Sequence, residues 1–220
     1  MIKSSVGKKL IMAITGQLMF LFIVFHLIGN TSLYFSWINT YAKHLHDLWP
    51  LVWIVRFVMI TLLSLHLVFG IQLTLENRSA KPDAYAIKKS LRATFASKNM
   101  IWTGLIIAGF LLYHLLHFTF QVVHPEMSAK LNTDVMGLPD LFSMIVFGFQ
   151  NFFILSLYIA SLIALTLHLV HGLQSSFQTM GLNTDQTQPV IAKAGVIASL
   201  ILLIGYASIP VVIFIGIVKG

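Results

Sequence analysis

Cysteine is absent from the 220 residues, so the chain forms no disulfide, ligates no iron–sulfur cluster through thiolates and attaches no c-type haem covalently. Charge is nearly as scarce. Only 10% of the residues are Asp, Glu, Lys or Arg, where a soluble globular domain carries roughly a quarter. In their place stand hydrophobic residues at 57%, with a mean hydropathy of +0.86. That composition points to a polytopic membrane protein. A net charge of +7 could suggest a nucleic-acid partner. The apolar fraction is too high for that, and the basic residues sit mostly between the apolar runs, so membrane topology is the better explanation and no nucleic acid is expected. No tandem repeat or low-complexity tract is visible. Histidine is the residue in excess: nine in so apolar a chain need an explanation.

Spanning the hydrocarbon core takes roughly 20 apolar residues as a helix. Five stretches qualify, at about 10–37, 51–75, 100–123, 144–175 and 194–218. The first follows a short basic start (Lys3, Lys8, Lys9) and resembles a signal peptide, but its apolar run is too long for a cleaved one, and a retained helix is expected. Residues 1–220 therefore read as a single all-α domain, a bundle of five transmembrane helices. Lysine and arginine orient it. With the N-terminus inside, the inner segments hold Lys3, Lys8, Lys9, Arg78, Lys81, Lys88, Lys89, Arg92, Lys98 and Lys193, and the outer side holds only Lys43, Arg56, Lys130 and Lys219. Ten against four predicts a cytoplasmic N-terminus and an external C-terminus. The inner loop 76–99 is expected to form a short amphipathic helix, and the outer loop 124–143 carries Glu126, Asp134 and Asp140.

An ionisable residue inside a bilayer is costly, so its presence is a functional hypothesis by default. The first span holds His26, the second His66, the third His114 and His117, the fourth His168 and His171. Helical rise converts sequence position to depth. His26 lies 17 residues beyond Lys9 and His114 lies 16 beyond Lys98, roughly 25 and 24 Å from the inner charges. His66 precedes Arg78 by 12 residues and His168 precedes Gly181 by 13, roughly 18 and 20 Å. The order pairs His26 with His114 toward the outer side and His66 with His168 toward the inner side. Each pair joins two different helices, as a six-coordinate haem between spans requires, and bundle cores are where helices build such sites. Zinc would want three or four converging ligands, usually with carboxylates or thiolates, and the spans contain neither. Two b-type haems are therefore expected, one on each pair. A lone histidine in a span is as often a hydrogen-bonding packing residue, a reading four histidines at two matched depths fit poorly.

The first helix reads SSVGKKLIMAITGQLMFLFIVFHLIGN (residues 4–30), the third contains YHLLHF (113–118) and the fourth HLVHGLQSSFQTMGL (168–182). In these motifs, and in span number and histidine placement, the chain resembles the five-helix, di-haem cytochrome b subunits that anchor succinate dehydrogenases and fumarate reductases. The resemblance implies His26 (FHLIGN), His66 (SLHLVFG), His114 and His168 as the haem-iron ligands, with the same pairing. It implies flavoprotein and iron–sulfur partner subunits on the cytoplasmic side of a bacterial inner membrane, and electron exchange with a membrane quinone, expected to be menaquinone, as in respiratory complex II of the tricarboxylic acid cycle. The dicarboxylate chemistry would belong to a partner, since this chain lacks a flavin site. Loop 76–99 would dock the iron–sulfur subunit. His117 and His171, three residues from the chosen ligands, are the alternatives to them within the third and fourth helices; otherwise they would hydrogen-bond a haem propionate, a quinone or a backbone carbonyl.

Arg56 is the only cation well inside an apolar run, a candidate partner for a propionate on the outer side, with snorkelling to the interface as the plainer reading. Arg78, Lys89 and Arg92 stand in the same relation to the inner side. His44, His46 and Asp47 form a cluster in the loop after the first helix, a weak candidate for quinone proton exchange and more simply a solvated loop. Two rival functions remain: the di-haem anchor of another respiratory dehydrogenase, such as a formate dehydrogenase or hydrogenase, and a haem-free transporter using the histidines as proton relays.

Overall fold

A computed structural model describes residues 4–80 and 94–219, and within them the chain is helical, with one isolated bridge between Thr133 and Pro139. Eight α-helices follow in order: α1 Ser5–Asn30, α2 Ile38–Asp47, α3 Trp49–Ser79, α4 Phe95–Lys98, α5 Met100–His114, α6 Leu141–Gln150, α7 Phe152–Thr179 and α8 Gln188–Phe214. Five helical segments are long and apolar enough to cross a membrane: Ser5–Phe35, Trp49–Ser79, Met100–Thr119, Phe152–Thr179 and Gln188–Phe214. Their outward side chains are Phe, Leu, Ile, Val and Trp, as expected of helices bathed in lipid. The chain is a multi-pass membrane protein by this architecture.

Local chemistry sets the helix ends. Ser4 caps α1 by accepting from the Gly7 amide at 3.1 Å, and Pro50 and Pro189 occupy the first turns of α3 and α8, where the missing N–H costs nothing. The expected fourth span, 144–175, breaks in two. Asn151 turns to an extended backbone, and its side-chain oxygen accepts from the amides of Phe153 (2.9 Å) and Ile154 (3.3 Å). An apolar run that looks continuous by hydropathy thus contains a helix start, and the span proper is α7. The loop holding His44, His46 and Asp47 is likewise a helix, α2, with all three residues exposed. The amphipathic helix expected within 76–99 falls largely on residues outside those described; at its margins α3 runs on to Ser79 and α4 begins at Phe95.

Four helices make a ring. α1 packs on α3 and α7, α5 packs on α7, and α3 closes the ring against α5 with sparse contact; α8 lies outside on α7. In this ring α1 faces α5 across the middle and α3 faces α7. The best-buried helix is α7, which submerges Ile154, Leu155, Tyr158, Leu162, Leu169 and Leu173 between its neighbours. We call the end where α1 begins the near end and the opposite one the far end. At the far end Asn39 ties α2 to the 124–143 segment. Its amide donates to Asp134 (3.0 Å) and Asp140 (3.2 Å), and its oxygen accepts from the Phe142 amide (2.9 Å).

Candidate functional site

The ring order decides which histidines meet. His26, on the far half of α1, stands across the bundle from His114 at the end of α5, with ring centroids 6.0 Å apart and planes at 88°. His66 of α3 faces His168 of α7, with centroids 6.2 Å apart and planes at 63°. All four rings are partly buried. Two imidazoles that bind one metal ion from opposite sides, each through a nitrogen at about 2 Å, have ring centres about 6 Å apart. Both pairs have the spacing to hold one ion each. Among the described residues no group of three or more His, Asp or Glu side chains gathers around a possible ion, so a closed tetrahedral protein site is not formed there.

Hydrogen bonds hold the rings from behind. The Thr15 hydroxyl, on α1, lies 3.1 Å from Nδ1 of His66, and the Thr103 hydroxyl, on α5, lies 3.1 Å from Nδ1 of His168. Each threonine is followed by a glycine. A Cβ on Gly16 would stand 3.3 Å from Cε1 of His66, and one on Gly104 would stand 3.4 Å from Cε1 of His168. At the far pair Phe22 stacks on His26 at 5.6 Å, and Phe110 tilts against His114 at 5.8 Å.

These correspondences expose an internal repeat, against the expectation of none. Thr–Gly precedes His by eleven residues in both α1 (Thr15, Gly16, His26) and α5 (Thr103, Gly104, His114). LSLHLVFGIQ at 63–72 of α3 matches LTLHLVHGLQ at 165–174 of α7 with seven identities in ten. The unit is a pair of helices, α1 with α3 and then α5 with α7, and the linkers differ in length, which is why a scan for tandem periodicity passes over it. Because the near pair lies level with Thr15 and Thr103, eleven residues from the far pair, the two levels are separated by about 16 Å along the bundle.

The repeat separates the six intramembrane histidines into two kinds. His26, His66, His114 and His168 are the repeated ones; His117 stands where the first unit has Gly29, and His171 where it has Phe69. His117 is 2% exposed, on a π-helical turn at Leu115–Thr119, and its Nδ1 lies 3.0 Å from the Tyr158 hydroxyl. At Nδ1 its buried partner is therefore a tyrosine, a residue that sequence reasoning did not single out. Tyr158 also reaches Nδ1 of His114, at 3.4 Å. On the other side, His117 Nε2 would be 2.9 Å from a Cβ on Gly148.

The remaining expected residues lie apart from the pairs. Arg56 is exposed on α3, its guanidinium 5.0 Å from the centre of the Trp53 ring. Arg78 and Lys98 line an open cleft between α3 and α5 at the near end, with Asn77 and Ser97; Lys89 and Arg92 lie outside the described residues. Lys8 pairs with Glu76 across α1 and α3. In α2, Asp47 accepts from Lys43 at 2.6 Å, which holds its carboxyl below the usual carboxylate range. Sequence reasoning passed over Thr15, Thr103 and Tyr158; only the repeat could have singled out the two threonines. No family model, curated protein or solved structure matches the chain.

Proposed function

We propose that the chain is the membrane-anchor cytochrome b subunit of a succinate:quinone or fumarate:quinone oxidoreductase, with two b haems between its helices. The observation that carries the haem reading is the pair of facing imidazoles at each of two levels, 6.0 and 6.2 Å between ring centres, a spacing at which His26 with His114, and His66 with His168, would each hold one haem iron. The ring of four helices supplies what such a group needs: apolar walls, small residues where rings approach closely, and no competing carboxylate among the paired histidines. Bound there, the haems would supply one-electron transfer at two levels about 16 Å apart along the bundle.

The chain's own residues then have distinct tasks. His66 and His168 hold the near level, and His26 and His114 the far one. Arg78, at the near end of α3, and Lys98, at the end of α4, are cations available to a propionate; Arg56 covers Trp53 on the outward surface and serves an interface better than a buried acid. The identity of the complex rests on the resemblance of residues 4–30, 113–118 and 168–182 to the succinate dehydrogenase and fumarate reductase anchors. On that reading the near end is cytoplasmic, flavoprotein and iron–sulfur subunits dock there, the enclosing membrane is the bacterial inner membrane, and the electron partner in the membrane is a quinone, with menaquinone the expected type.

The test is the reduced-minus-oxidised spectrum and pyridine haemochrome of the purified chain, with His26→Ala, His66→Ala, His114→Ala and His168→Ala. Two protohaems per chain are expected, one of them lost in each variant. A folded wild-type chain without haem would overturn the reading and favour a proton-relay role. Copurification separates the two di-haem alternatives: succinate dehydrogenase activity in the isolated complex supports this assignment, and formate dehydrogenase or hydrogenase activity refutes it.

A further inference from the structure

We propose that Thr15 and Thr103 are positioning residues that hold His66 and His168 in the Nδ1–H tautomer, turning both Nε2 lone pairs toward the space between α3 and α7. What those lone pairs bind rests on the haem reading above; the tautomer itself does not.

The assignment follows from counting hydrogens. A threonine hydroxyl has one to give. The Thr15 oxygen lies 2.8 Å from the Ile11 carbonyl and 3.1 Å from that of Met12, the back-bonding usual for a threonine inside an apolar helix. The Ile11 carbonyl is the shortest of the Thr15 hydroxyl's contacts and takes its hydrogen, which leaves the hydroxyl an acceptor. Toward His66 Nδ1, at 3.1 Å, the oxygen has only a lone pair to offer, and the ring must donate. Thr103 repeats the arrangement: carbonyls of Asn99 at 3.2 Å and Met100 at 3.1 Å, and His168 Nδ1 at 3.1 Å. A ring with its hydrogen on Nδ1 keeps Nε2 free, and in a metal-bound histidine the hydrogen bond made by one nitrogen sets which nitrogen is metallated. The glycine after each threonine completes the fit. A Cβ on Gly16 would press lightly on the His66 ring at 3.3 Å, and one on Gly104 would just touch the His168 ring at 3.4 Å, so both rings seat close against the helix backbone.

The device belongs to one level only. At the far level the partner of His114 is Tyr158, at a longer 3.4 Å, and that hydroxyl is shared with His117. The two units thus share Thr–Gly against the near histidines and differ around the far ones. The near pair is held alike from both sides, and the far pair is not.

Two measurements test this. The first uses the full-length chain freed of haem, with histidine labelled by nitrogen-15. Its spectrum reads which ring nitrogen carries the hydrogen, and Nδ1–H at His66 and His168 is expected. Nε2–H at either position overturns the proposal, whatever the chain binds. The second compares haem binding and midpoint potentials in Thr15→Val, Thr103→Val, Thr15→Ser and Thr103→Ser. Thr61→Val, which loses only a back-bond to Phe57, serves as control. Each valine variant is expected to lose about tenfold or more in affinity for one of two haems and to shift its potential, as removal of a ligand's hydrogen-bond partner does. Each serine variant should restore both. Valine variants indistinguishable from wild type, or serine variants as impaired as valine, overturn the positioning role. A wild-type chain that binds no haem while showing Nδ1–H at both rings would fail the haem reading and leave the tautomer assignment standing.

Discussion

Tyr158 is the residue through which the far histidines join the helix packing. It is buried on α7, edge-on to Phe110 and Phe149 at 4.9 Å each, and its hydroxyl serves His117 and His114 together. Replacing it by phenylalanine keeps the ring and leaves Nδ1 of a 2%-exposed histidine without its partner. A cost of about 1–3 kcal/mol is expected, read as a lower melting temperature in detergent. If Tyr158→Phe melts with wild type, the hydroxyl is not a structural partner of His117. A second variant probes the same histidine from behind. Gly148→Ala places a methyl 2.9 Å from His117 Nε2, against a ring that Tyr158 and Phe118 prevent from yielding, and should destabilise by about 1–3 kcal/mol. Both residues illustrate what a sequence conveals and what it conveys. His26, His66, His114 and His168 stand out because an imidazole in an apolar run is conspicuous. Thr15, Thr103 and Tyr158 do not, since threonine and tyrosine are ordinary in spans and only a partner some 44 to 65 positions away gives them a task.

At the scale of elements, hydropathy located the long helices and misjudged their ends. The run at 144–175 contains no charge to mark the break between α6 and α7; the signal is Asn151, whose capping geometry depends on backbone angles that an apolar average does not see. The segment before α6 is fixed by polar contacts instead. Asn39 donates to both Asp134 and Asp140, so Asn39→Ala should loosen α2 from the 124–143 segment and cost about 1–2 kcal/mol, measurable by thermal melting. The same contacts carry a pH dependence. The Asn39 amide and the backbone N–H groups of Leu138 and Met136 hold Asp134 below the ordinary carboxylate value. Burial pushes Asp140 up, but hydrogen bonds from Ser143 and Asn39 outweigh it and leave it lowered as well. Groups lowered in the folded state contribute fully above their unfolded value, near 4, and lose that contribution as pH falls through the lowered one. Protection factors at the Asp134–Leu138 amides, taken relative to intrinsic exchange at each pH, should therefore fall below about pH 4 and stay constant from there to neutrality. A loss of protection equal in Asn39→Ala and wild type would dissociate the effect from this network.

For the whole molecule, the uneven ring matters most. α3 rests on α1 and barely on α5, yet it contributes His66 to the near pair. A ligand gripped by His66 and His168 would tie α3 to α7 across the ring; on the proposed haem reading, haem added to the haem-free chain should raise its melting temperature, and His66→Ala should remove part of that rise. An equal rise in His66→Ala would place the stabilisation elsewhere. The helix-pair repeat also reaches beyond the present fold. Each unit offers one imidazole at each level, so a single two-helix hairpin is incomplete, whereas two copies related by a dyad along the bundle would already set His26 against its counterpart and His66 against its own. Gene duplication and fusion of such a hairpin would inherit both levels at once, and sequence drift between the copies would then be free to make the two levels different. His117, His171 and the tighter α1–α7 seam are the places where the two units differ.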